Sequence, residues 1–133
     1  MLHNFTPHQL VIYAADSKRV IAILPSEGNA RAAEVVTPVG EVVFHDPDAG
    51  PGIAMIAVPA VEKQYRADFG DPTVKQVADL VADDEFVAVS LVTLQAMRAA
   101  GLDHANLVAP DTGPDSVVRD ADGKILGVRR LQR

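Results

Sequence analysis

Short apolar, β-branched runs separated by turn-forming residues dominate the first half of the chain. Residues 9–13 and 20–24 are two such runs around the polar break at 14–19, a pattern that predicts a β-hairpin. Pro25, Ser26, Gly28 and Asn29 stop the second run, and residues 35–39 and 41–45 predict a further pair of strands around Pro38 and Gly40. Residues 46–52 join φ-fixing prolines, glycines and self-capping aspartates and read as a loop. Another apolar run covers 53–58 and ends at Pro59, with 61–65 extending it after a break. The order is that of an antiparallel meander.

At Asp71 the period changes. Asp71 suits an N-cap and Pro72 the first helical position, while Val74, Val77, Ala78 and Val81 recur at helical spacing, so an amphipathic helix is predicted over 73–82. Residues 86–89 form a short apolar strand, Ser90 caps a helix over 91–100, and Gly101 takes the position just past its end. A second short strand over 106–109 completes a βαβ crossover with its two strands parallel. Residues 117–119 and 124–128 flank Asp120, Ala121, Asp122 and Gly123 as a C-terminal hairpin. The prediction is a single α+β domain over 1–133: β-hairpins in a meander, then two helices with a short βαβ unit, then a C-terminal β-hairpin.

Composition narrows the chemistry. With no cysteine among 133 residues there are no disulfides, thiolate nucleophiles or cysteine-ligated metals. No apolar run approaches the roughly 20 residues of a membrane span, and no basic stretch precedes an apolar one at the start, so no membrane association and a cytoplasmic location are expected. A formal charge of −6 argues against general nucleic-acid binding. That charge is unevenly placed. Lys124, Arg129, Arg130 and Arg133 give the last ten residues +4, which leaves −10 on the rest. Such a tail either pairs with its own body or docks on an acidic face of another subunit or on a phosphate-bearing ligand.

Several motifs fail on inspection. Asp111-Thr112-Gly113 matches the aspartic-protease triplet, but Pro110 stands where an apolar residue is needed. The later Ile125-Leu126-Gly127 also follows far too closely for a flap to fit between them. A calcium loop with Gly123 at its sixth position would need ligands at Val118 and Arg129. His3, His8, His45 and His104 show no metal-site spacing, so no metal is expected. There is no glycine-rich dinucleotide or phosphate loop, so no cofactor is expected, and Ser17, Ser26, Ser90 and Ser116 lack nucleophile-elbow glycines. No catalytic residue is assigned. The remaining signal is positional: Ser90 follows one parallel strand and opens a helix, and Asp111, Thr112 and Gly113 follow the other strand, where open α/β sheets place ligands. His8, in the turn Thr6-Pro7-His8, joins them as a candidate ligand-binding residue. The alternative is that Ser90 only caps its helix and 111–113 is only a turn.

Asn4-Phe5-Thr6-Pro7-His8, Val87-Ala88-Val89-Ser90, Asp111-Thr112-Gly113-Pro114-Asp115, Val118-Arg119-Asp120 and Gly123-Lys124-Ile125 resemble a group of small proteins encoded by actinobacteria and phages. The likeness covers the two ends of the chain and not residues 30–84. It carries no catalytic residues; it implies a phage or prophage accessory protein. The expected function is therefore non-enzymatic binding of a small phosphate-bearing ligand or a host protein, by a homo-oligomer. A structural or virion assembly protein and a small hydrolase are the alternatives.

Overall fold

The computed structural model describes residues 1–48 and 55–133. In chain order these form β1 (Leu2–Asn4), β2 (Leu10–Tyr13), β3 (Val20–Leu24), β4 (Ala33–His45), β5 (Met55–Arg66), α1 (Pro72–Ala82), β6 (Phe86–Ala88), α2 (Leu91–Ala99), β7 (Leu107–Pro110), β8 (Val117–Arg119), β9 (Ile125–Val128) and β10 (Leu131–Gln132). The fold class is α+β. Chain contacts divide it into two units, one of Met1–Ala33 with Arg66–Arg133 and one of Glu34–Tyr65.

The larger unit is organised around β6 and β7, which are apolar on both faces. They run parallel, joined through α2 as the crossover predicts, with β1 parallel on the outer side of β6 and β10 antiparallel beside β7. Strand alternation sends Val87, Val89, Leu107 and Ala109 into a core with Val74, Val77 and Val81 of α1, Leu94 and Met97 of α2, and Phe5. Ala88 and Val108 point the other way, onto Leu10 and Val128. Burial on both faces is what short, uninterrupted apolar strands require. Both helices begin as their caps predict: Asp71 Oδ1 accepts from the Thr73 and Val74 amides, and Ser90 Oγ accepts from the Thr93 amide. Ala100 ends α2, and Gly101 follows with φ +102°, a left-handed position that suits glycine.

A second sheet, in the order β3-β2-β9-β8, joins the two predicted hairpins. β2 and β3 are antiparallel from Leu10 opposite Leu24, β8 and β9 are antiparallel, and β2 runs parallel to β9 with Ile12 opposite Val128. Gly127 permits that junction, because a Cβ on it would collide with the Val11 carbonyl oxygen and lie 2.7 Å from the Tyr13 ring.

The smaller unit is a ribbon in which β4 pairs with β5. Lys63 Nζ lies 3.3 Å from Glu34 Oε1, which sets the end of β5 beside the start of β4 and makes the pair antiparallel. Here the structure corrects two expectations. The chain does not reverse at Pro38 and Gly40, nor break at Pro59; β4 and β5 each run straight through. Each strand of a two-stranded ribbon is an edge, and an edge tolerates proline because one row of its amides needs no partner. The Asp48 amide donates to Asp46 Oδ1 at the start of the expected 46–52 loop; its residues 49–52, and residues 53 and 54 of the next run, lie outside the described residues.

Candidate functional site

A cleft of about 660 Å³ opens in the larger unit beside the carboxyl ends of β6 and β7. Its walls come from four separate stretches of chain: the turn after β1 with the start of β2, the N-terminus of α2, the segment after β7, and β9. Of the residues singled out in the sequence, His8, Ser90, Thr112 and Lys124 line it, and Thr6 stands with them. Leu10, Gly127 and Val128 supply buried apolar lining, and Leu91, Ile125 and Leu126 add exposed apolar side chains. No described residue lining the cleft is acidic, although the chain holds 18 aspartates and glutamates against 12 lysines and arginines.

One buried side chain shapes the first wall. Asn4 is fully enclosed and uses all its polar atoms: Nδ2 donates to the carbonyls of His8 (2.9 Å) and Leu24 (2.8 Å). Its Oδ1 accepts from the Thr6 amide (3.0 Å) and hydroxyl (2.6 Å). Thr6 Oγ1 also contacts the His8 carbonyl at 3.0 Å, and Ser26 Oγ donates to the Thr6 carbonyl at 2.6 Å. The turn that carries Thr6 and His8 to the cleft is thus tied on both sides.

Ser90 does what the capping alternative requires. Besides accepting from the Thr93 amide, its hydroxyl lies 2.9 Å from Thr93 Oγ1 as donor, and Thr93 Oγ1 in turn donates to the buried Ala30 carbonyl at 2.8 Å. With its proton committed to Thr93, Ser90 contributes a wall and a helix N-terminus to the cleft rather than an activated nucleophile.

Asp111 and Gly113 do not line the cleft. Asp111 Oδ1 accepts from the Gly113 amide at 2.9 Å, while Oδ2 accepts from both Arg130 Nε and a terminal guanidinium nitrogen at 3.0 Å. This bidentate pair holds the C-terminal segment against the loop after β7, supported by the Asp111 amide donating to the Arg130 carbonyl. Arg129 donates to the Ser17 carbonyl and Arg133 to Asp103. Three of the four basic tail residues therefore bind the chain's own body. Lys124 differs: among the described residues its ammonium forms no ion pair, and it lines the cleft.

Of the other histidines, His3 contacts Glu27 and Glu85, and His104 Nδ1 accepts from the Asn106 amide. Among the described residues no three His, Asp or Glu side chains converge as metal ligands would, and no helix is long and apolar enough to cross a membrane. Sequence reading missed the apolar lining from β2 and β9, since nothing local to either hairpin says that they pair. It also missed Asn4 as the hub of the turn. No family model, curated protein or solved structure matches this chain.

Proposed function

We propose that this protein binds a small anionic, phosphate-bearing ligand with an apolar moiety in the cleft at the carboxyl ends of β6 and β7. The observation that carries this reading is the cleft's charge: an acid-free lining, with Lys124 and His8 on its walls, in a protein of net charge −6. An anion enters such a pocket without meeting a carboxylate, and the amides at the start of α2 add a positive dipole end. Thr6, Ser90 and Thr112 supply hydroxyl oxygens around an apolar lining that accepts a ring or alkyl group. Binding rather than turnover is favoured because the Ser90 hydroxyl serves its helix and the Asp111 carboxylate is held by Arg130. In the phage or prophage setting that the resemblance implies, such a protein acts in the host cytoplasm.

A thermal-shift screen against nucleotides, sugar phosphates and inorganic phosphate tests this. Ligand at 100 times its dissociation constant stabilises by about 2.7 kcal/mol, which raises the melting temperature by roughly 10 °C in a domain of this size. Lys124→Glu abolishes the shift, and Lys75→Glu on the exposed face of α1 leaves it intact. No shift with any phosphate compound at millimolar concentration would refute the proposal.

A further inference from the structure

The cleft has few hydrogen bonds left to give a ligand. The Thr6 hydroxyl donates to Asn4 Oδ1 at 2.6 Å and the Ser90 hydroxyl to Thr93 Oγ1 at 2.9 Å, and a hydroxyl has only one proton. Among the described lining residues, the side-chain donors that remain are Lys124, His8, Thr112 and Gln9. That set suits one anionic head group and little more. No described lining residue is phenylalanine, tyrosine or tryptophan, and none is a carboxylate. The rest of the wall is largely aliphatic: Leu10 and Val128 are buried in it, while Leu91, Ile125 and Leu126 border it at 39%, 45% and 43% exposure.

We propose that the ligand of this cleft is a dissolved single-chain amphiphile, an alkyl chain ending in one phosphate, with its head at Lys124 and its chain over Leu91, Ile125 and Leu126. This rests on the reading of the cleft as a phosphate-ligand site and narrows it. The body of the ligand is chosen by what the wall cannot do. A nucleotide stacks its base on an aromatic ring and offers its ribose hydroxyls to a carboxylate, and the described lining has neither. A sugar phosphate carries several hydroxyls that would be desolvated against leucine and isoleucine carbon, each unpaired one lowering affinity. An alkyl chain asks for no hydrogen bond and takes three half-exposed aliphatic side chains out of water. The volume, about 660 Å³, is that of a small-molecule pocket.

Isothermal titration of the full chain with inorganic phosphate, butyl, hexyl and octyl phosphate and adenosine monophosphate tests this. Each buried methylene is worth about fourfold in affinity, so hexyl phosphate binds roughly 15-fold tighter than butyl phosphate, and at least roughly tenfold tighter than adenosine monophosphate. A gain of less than about threefold from butyl to octyl phosphate, or a nucleotide that binds as tightly as hexyl phosphate, overturns the alkyl assignment while phosphate binding stands. If no phosphate probe binds at all, the reading of the cleft as a phosphate site falls with it. Leu126→Asn, at a position already half-exposed, weakens hexyl phosphate at least roughly fivefold, and an unchanged affinity in the folded variant also overturns the assignment. Should that variant fold poorly, the alkyl series on the unaltered chain decides the matter.

Discussion

Asn4 offers the sharpest test of how the cleft is built. The perturbation is Asn4→Asp, which changes the shape hardly at all but replaces the Nδ2 donor with an oxygen facing the His8 and Leu24 carbonyls at 2.9 and 2.8 Å. A simple truncation, Asn4→Ala, sets the scale. It deletes four hydrogen bonds at about 1 kcal/mol net each, and the Thr6 hydroxyl keeps its contact with the His8 carbonyl, which returns about 1 kcal/mol. The expected loss is about 3 kcal/mol. At roughly 4 °C per kcal/mol for a chain of this length, the melting temperature falls by about 12 °C. Asn4→Asp costs at least as much, because it turns two attractive contacts into repulsive ones and places a carboxylate at a fully buried position. Thermal unfolding followed by circular dichroism measures both variants. The reasoning fails if Asn4→Asp melts within 3 °C of the wild type, or if it is clearly more stable than Asn4→Ala.

Two further substitutions probe the junctions around the cleft. Gly127→Ala forces β2 and β9 apart, since the added methyl overlaps the Val11 carbonyl; overpacking of this kind costs about 2–3 kcal/mol, and a melting temperature within 2 °C of wild type would contradict it. Asp111→Ala removes the Arg130 pair and the Gly113 amide acceptor, and with Arg130 more than half exposed the expected cost is about 1 kcal/mol, shrinking as salt is added.

The parts of the fold legible in the sequence are those written in local chemistry. Asp71-Pro72 and Ser90 mark helix starts through their own oxygens, Gly101 marks an end through its backbone, and the 86–89 and 106–109 runs are short enough around one helix to leave only a parallel crossover. Pairings between distant segments carry no such mark. β1 has three residues, β10 has two, and the Ile12–Val128 register joins positions more than 110 residues apart. Proline misled the reading in the ribbon, where its missing amide is harmless on an edge that a central strand could not spare. The same division holds at the site. His8, Ser90 and Thr112 were identifiable because strand ends and helix starts predict where side chains gather, and Lys124 because its charge stands out at the tail. The apolar lining became visible only when two hairpins met.

That meeting has a consequence for what the cleft can be. Its lining draws on residues 6–11, 90–91, 110, 112 and 124–128, so it exists only after β2 and β9 have paired across most of the chain. Contacts of such sequence separation form at a large loop-closure cost and are repaid only when the surrounding core is in place. Three tail arginines are anchored at Ser17, Asp111 and Asp103, which brings β9 and Lys124 to the cleft through bonds that do not involve the ligand. On the proposed function, a pocket held open in this way, with its cation unpaired among the described residues, would bind by complementarity already present in the free protein. Association with a small anion should accordingly leave the circular dichroism spectrum unchanged while raising the melting temperature. An anion-dependent gain of strand signal would instead show that β9 docks only when the ligand does.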